Sequence, residues 1–491
     1  MSFDVLSLSM NRAHCTGRAL AFGLTFGLAA CGSLPSPTQA SLTGEVPPGW
    51  SGTEAAPAGI RATSLAAWWQ QFDDPLLGRL VGQAMAANTD LLTAQAALRQ
   101  ARALRDVAAA ALLPTVGSSA SAQYNSAGSG SGRVTGQTYA AGLDASWELD
   151  LFGVNRSGLR ASEATTQASA ASLEAVRVSV AAETALAYIG LRGAQVRLSI
   201  AQRNLASQQE TLQIVQWRLQ AGLVTSLEAE QARAAVAQTG ALVPALQISI
   251  DQNAHALAVL TGQPPDALAA LATATAAVPL AADDLALNLP AETLRQRPDV
   301  RAAEYRVSAA AASVDAAEAA RLPQFSLGGT LGLSALSAGA LTNGASLVGS
   351  LLAGVTLPVF DGGALRAQVR AQQAALEQTE LAYRATVLTA LRDVEDALVA
   401  LRGDRERLAQ LQQAAEAAAH ASQLANQRFA SGLIDFQTVL DSQRTQLGTQ
   451  DSVAGATADV AADHVRLYKA LGGGWAPAAE SGLASSRSLS E

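Results

Sequence analysis

Between residues 141 and 151 apolar and polar positions alternate without a break. Ala141, Leu143, Ala145, Trp147, Leu149 and Leu151 share one face, and Gly142, Asp144, Ser146, Glu148 and Asp150 share the other. A period of two describes a strand with one dry and one wet side. Residues 324–335 repeat the pattern, with Phe325, Leu327, Leu331 and Leu333 set against Gln324, Ser326, Thr330 and Ser334; residues 350–359 continue it less cleanly. Two strands are predicted in each half of the chain. The Gly/Ser-rich stretch 125–137 and the segment around 337–346 read as exposed loops between them.

The rest of the pattern is helical. Helices are predicted over 78–113, 154–221, 226–262, 291–322, 363–431 and 435–471. Pro114 and Pro323 close the first and fourth of these, because the residue before a proline is driven out of the helical region. Gly222 and Gly432 close the two long runs, glycine being the favoured left-handed stop. Each long run would extend about 100 Å at 1.5 Å per residue, and two shorter helices placed end to end match one long helix. Residues 263–290, with Pro264, Pro265 and Pro279, would form a belt where the shorter helices meet.

Landmarks recur in one order at one spacing. Arg218-Leu-Gln-Ala-Gly222-Leu223-Val224 returns as Arg428-Phe-Ala-Ser-Gly432-Leu433-Ile434, Leu113-Pro114 as Leu322-Pro323, and Phe152-Gly153 near Phe360-Asp361-Gly362. The chain is an internal duplication, with a period far too long for a solenoid.

Composition fits long packed helices: 49% of the 491 residues are hydrophobic and only 4% aromatic, with Ala and Leu, the best helix formers, prominent. A net charge of −8 offers no basic surface for nucleic acid. No apolar run reaches the roughly 18 residues of a spanning helix, an absence shared by soluble proteins and β-barrels. The two cysteines, Cys15 and Cys31, leave no internal disulfide and no cysteine metal cluster. His14, His255, His420 and His464 stand singly, and no H-E-x-x-H, P-loop or G-x-S-x-G occurs, so no catalytic site, metal or cofactor is predicted.

The N-terminus reads as an address. Arg12 and Arg18 precede an apolar stretch from Ala19 to Ala30, with Met10 an alternative start to Met1. This is a signal peptide by length and charge. Leu28-Ala29-Ala30-Cys31 resembles a lipobox, which would leave Cys31 lipidated, and Gly32, not Asp, follows it, as in lipoproteins sorted to the outer membrane. An ordinary signal peptide with a chance cysteine is the alternative.

Four strands cannot close, and an open edge cannot face lipid. Three chains would supply twelve strands, an even number suited to an outer-membrane barrel. The expected fold is mainly α with a membrane β-barrel. Its divisions are a signal peptide 1–30, an anchor and equatorial segment 31–75, repeat one 76–262, a linker 263–290, repeat two 291–474 and a tail 475–491. A coiled-coil spacer lipoprotein without a pore, and an outer-membrane enzyme on a helical scaffold, are the competing readings.

Trp68-Trp69-Gln70-Gln71-Phe72-Asp73-Asp74-Pro75-Leu76, Leu289-Pro290 followed by Arg297-Pro298-Asp299-Val300-Arg301-Ala302-Ala303-Glu304, and the two Arg-x-x-x-Gly-Leu segments resemble the signatures of the TolC-like outer-membrane factors, in their lipoprotein, NodT-type branch. That resemblance, over roughly residues 64–475, implies a homotrimer with a 12-stranded barrel and a 12-helix periplasmic tunnel. It implies work with a periplasmic adaptor protein and an inner-membrane pump of the RND type, in outer-membrane lipid, to expel toxic small compounds including antibiotics. Secretion of polypeptides by a type I system is the alternative cargo. By the same resemblance the channel gate lies at Asp441, with Thr438 where some members carry a second acid, together with Phe429, Asp435 and Glu228. Arg218, Gly222, Leu223, Arg428, Gly432 and Leu433 become candidate adaptor-docking tips. Read alone, Asp441 is a solvated acid near a helix start, and the two glycines are plain helix stops.

Overall fold

A computed structural model describes residues 67–129, 132–281, 296–343 and 346–473, all within one unit, Gly44–Glu491. The signal peptide, Cys31, Leu289-Pro290 and the tail 475–491 lie outside the described residues. A 3₁₀ turn, Trp68–Phe72, leads into α1 (Pro75–Ala87) and α2 (Thr89–Ala110). The hairpin β1 (Thr115–Ser129) and β2 (Gly132–Leu149) follows, then α3 (Val154–Gln220), α4 (Ser226–Leu260) and the short α5 (Ala269–Thr273). The second half repeats the order with α6 (Pro298–Ala319), β3 (Gln324–Ala335), β4 (Ser346–Thr356), α7 (Ala364–Ala430) and α8 (Phe436–Ala470). Helices α3 and α7 have 67 residues each, about 100 Å at 1.5 Å per residue.

Four expectations are corrected. The helix predicted over 78–113 is two helices. Asn88 leaves the helical region with ψ 131°, and its side chain caps α2 by accepting from the backbone N–H of Asp90 and Leu91 at 2.9 and 3.2 Å. Within the stretch 125–137, residues 125–129 and 132–137 are strand and not loop, since β1 and β2 stay in register from Thr115↔Ser146 to Ser129↔Gly132. Its small residues lack alternation, but the backbone ladder needs none. The strand expected at 350–359 is Ser346–Thr356, because Pro358 has no N–H to give a ladder. The helix expected from 291 is described from Pro298, whose fixed φ suits a first helical position.

The expected end-to-end joints are present. At the first, Asn88 Nδ2 donates to the Leu260 carbonyl at 3.0 Å, and Gly262, with φ +72°, lies so close to Ala87 that a Cβ would strike its carbonyl oxygen. At the second, buried Arg297 donates to the Ala470 carbonyl at 2.6 Å and pairs with Asp299 at 2.7 Å and Asp393 at 3.6 Å. The Arg-Pro-Asp signature is therefore a joint: the arginine satisfies a helix end, proline starts α6, and aspartate neutralises the buried charge. The Trp-Trp signature has a similar task. Trp68 is buried against Tyr468, Tyr468 donates to Gln71 at 2.5 Å, and Tyr188 donates to Asp74 at 2.7 Å.

Helix α3 is the centre of the bundle, packing along α1, α2, α4, α6 and α8; α7 packs on α6 and α8. The other flank of α7 exposes Leu381, Leu388, Val399 and Leu424, and α4 exposes Leu227, Leu242, Ile248 and Val259.

The sheet is antiparallel in the order β1-β2-β3-β4. Register puts Leu143 opposite Leu331 and Trp147 opposite Leu327, which faces Ala353. Cross-strand partners share a face, so these rows make one apolar side, with Leu347, Leu351 and Val355 exposed upon it. On the other side Ser119 donates to Asp144 at 2.9 Å, Thr115 meets Ser146 at 2.8 Å and Thr330 meets Ser350 at 2.7 Å. The alternation read in the sequence thus separates a greasy surface from a hydroxyl-lined one.

Candidate functional site

The predicted gate and docking residues gather where α3 turns into α4 and α7 into α8. Both turns are closed alike. Leu223 N–H donates to the Arg218 carbonyl at 2.8 Å and Gly222 N–H to that of Leu219 at 3.0 Å; Leu433 N–H donates to Arg428 at 2.9 Å and Gly432 N–H to Phe429 at 3.0 Å. This paired closure needs a left-handed residue, and Gly222 and Gly432 have φ of +70° and +74°. A Cβ at either glycine would enter open space, so backbone conformation, not crowding, selects glycine here. Leu223 and Leu433 project from the turns, 73% and 74% exposed.

The following helices start on side-chain caps. Thr225 and Glu228 form a reciprocal capping box before α4. Asp435 accepts from the Thr438 backbone N–H at 2.9 Å and from its hydroxyl at 2.6 Å. The Thr438 hydroxyl, then its N–H, hold the Asp435 carboxyl below the usual carboxylate range. Glu228, Asp435 and Thr438 thus have local bonding that sequence reasoning did not assign.

Phe429 is 6% exposed. It packs on Phe436 with ring centroids 5.7 Å apart, in a cluster with Val215, Ala229, Val439 and Leu440 that joins the two helical hairpins. Phe436 and this cluster were missed in the sequence. Their only signal was the apolar residue directly after the Asp435 cap. Arg218 crosses between the hairpins, its guanidinium 4.3 Å from the Phe429 ring centroid, donating to the carbonyls of Phe429 at 3.0 Å and Ala430 at 3.2 Å.

Asp441 lies on the exposed side of α8, one turn beyond its start. It accepts from Gln437 at 3.0 Å, with Arg444 at 3.9 Å. Among the described residues no hydrogen bond or ion pair ties it to Glu228, whose carboxylate is engaged by Thr225. Of the histidines, His464 is buried with Nδ1 2.8 Å from the Val460 carbonyl and Nε2 3.0 Å from Arg405, a packing role. Among the described residues no group of His, Cys, Asp and Glu is placed to hold a metal ion, and no helix is long and apolar enough to cross a membrane.

The profile of the outer membrane efflux protein family matches residues 80–263 and again 289–473, once per repeat. The chain belongs to the outer membrane efflux protein family. The pyoverdine export outer membrane protein OpmQ of Pseudomonas putida is 36% identical over 92% of this chain and 96% of its own. Nodulation protein T of Rhizobium leguminosarum bv. trifolii is 30% identical over 86% of this chain and 90% of its own. Among solved structures, the outer-membrane channel OprN shares 37% of residues at a TM-score of 0.81, covering 88% of this chain and all of that one. The resemblance drawn from the signatures is therefore sound, and the fold is that of the efflux channels of the outer membrane.

Proposed function

We propose that three copies of this chain close into one passive exit duct, the outer-membrane element of a tripartite pump for small toxic compounds. The observation that carries this reading is the sheet: four strands, two open outer edges, and faces divided into apolar and hydroxyl-lined. In lipid every backbone group must be paired, so a sheet with two edges is viable only when other copies close it. The apolar rows then meet lipid, and Asp144, Thr330 and Ser350 line water. The 67-residue helices carry the same enclosure into the periplasm, and a lipidated Cys31 adds an anchor.

The proposed partners are a periplasmic adaptor and, through it, an inner-membrane pump of the RND type. The exposed Leu223 and Leu433, held out by glycine turns, suit an apolar docking contact. Asp441 is the proposed gate residue. Three copies about the axis would form a carboxylate ring that admits cations and resists anions. Phe429, Glu228, Asp435 and Thr438 support the gate by holding the tip together.

The test is single-channel recording of the purified protein in a planar bilayer. Discrete, cation-preferring openings from a particle of trimer mass are expected. A trimer that inserts without conducting would return the chain to the class of structural spacers.

A further inference from the structure

The two tips are built alike but occupied differently. Aligning Gly222 with Gly432 places Arg218 on Arg428, Leu219 on Phe429 and Gln220 on Ala430. Arg218 spans to the other hairpin and binds the carbonyls of Phe429 and Ala430. Arg428 is exposed, and among the described residues its guanidinium has no hydrogen bond or ion pair. Its target by the same rule would be the carbonyls of Leu219 and Gln220, and within the chain its side chain makes no bond to them. The covered state of the two targets differs accordingly. Phe429, under Arg218, is 6% exposed, whereas the equivalent Leu219 is 36% exposed and Trp217 beside it is uncovered.

We infer that Arg428 of one copy clasps the end of α3 in the next copy, donating to the carbonyl oxygens of Leu219 and Gln220. This rests on the trimeric reading above. Within a chain, α3 meets repeat two through α8. Duplication makes the equivalent meeting that of α7 with α4 of another copy, and the exposed Leu381, Leu388, Val399 and Leu424 of α7 and Leu227, Leu242, Ile248 and Val259 of α4 are the flanks it would bury. The last carbonyls of a helix carry the negative end of its dipole, and that of Leu219, bonded to the Gly222 N–H, keeps a second lone pair for another donor. A guanidinium with its planar fork of donors answers both needs, which explains arginine at both matched positions.

The ring of tips would then alternate two kinds of clasp. Inside a chain the arginine also lies over an aromatic ring, at 4.3 Å. Between chains Leu219 stands in that place and the cation–π contribution is absent. The seams between copies are therefore the weaker ones, and the tip parts there first.

The experiment uses the full-length protein in detergent, its mass checked by light scattering. Leu219→Cys combined with Arg428→Cys, treated with a short bifunctional thiol reagent, should give dimer and trimer bands on a denaturing gel, and neither single variant should. A particle of trimer mass that yields only monomer bands overturns the clasp and leaves the exit-duct reading standing; a particle that is not a trimer removes both. In bilayers Arg428→Ala should raise resting conductance at least as much as Arg218→Ala, with Arg428→Lys recovering part of the closure. Conductance unchanged by Arg428→Ala but raised by Arg218→Ala would also sink the inference.

Discussion

The indole of Trp68 lies flat on the ring of Tyr468, with centroids 5.4 Å apart and planes within 13° of parallel. The contact ties the start of the described chain to its last helix, beside the joint where α6 meets α8. Trp68→Ala should cost about 3–5 kcal/mol, seen as a lower Tm in a thermal scan. Trp69→Ala, at a half-buried position, should cost far less; equal losses would place the signature's importance outside this stack.

Gly262 tests the other joint. Its backbone is left-handed and Ala87 leaves no room for a Cβ. Gly262→Val should destabilise by about 1–3 kcal/mol, while Gly222→Ala, equally left-handed but facing open space, should cost about 1 kcal/mol. Urea unfolding midpoints compare the two, and the order Gly262 above Gly222 is the expected result.

Acid should loosen the Arg297 joint. Burial alone would raise the Asp299 carboxyl, but its bonds to Arg297 outweigh this and hold it below the ordinary range. A depressed acid contributes stability that is complete above its unfolded value, roughly pH 4, and is lost as pH falls through the folded value. Asp463, raised by burial despite Arg466, acts in the opposite sense, so the informative quantity is a difference. The stability gap between the native protein and Asp299→Asn should be flat above pH 5 and narrow below roughly pH 4; a gap independent of pH contradicts the assignment.

Asp441→Asn keeps the shape and removes the charge. Cation preference of the channel should drop severalfold, with export by cells little impaired. Because Asp441 is exposed, stability should stay within about 0.5 kcal/mol. An unchanged reversal potential in a salt gradient counts against a carboxylate ring.

Leu223→Asp together with Leu433→Asp should leave the trimer intact and change stability by no more than about 0.5 kcal/mol. Resistance to exported compounds should nevertheless be lost in a strain carrying only this variant. Retained resistance would show that the adaptor docks elsewhere.

Much of this architecture is legible in the sequence, because its signals are local. Alternation from Ala141 to Leu149 and the glycines after the long helices each act within a turn or two of chain. The Asn88 break was also local, an Asn before Thr89-Asp90, but it was hidden by unbroken apolar periodicity on either side. The extended hairpin at 125–137 was not legible, since Ser, Gly and Thr form a ladder through backbone groups that side-chain pattern does not report. At the tip, Phe429 looks like a pore aromatic until Val215, Ala229 and Phe436 close around it. Arg218 reads as an adaptor-docking residue, and its bonds to the Phe429 and Ala430 carbonyls of the other hairpin are not visible in the sequence.

The open outer edges of β1 and β4 have a genetic consequence. If each copy must be completed on both sides by others, no protomer can fail privately. A defective version made alongside the normal one would enter the same rings, and intact channels would fall as the cube of the normal fraction. Harmful alleles of this gene should therefore behave as dominant poisons whenever their products still assemble, and as silent recessives when they do not.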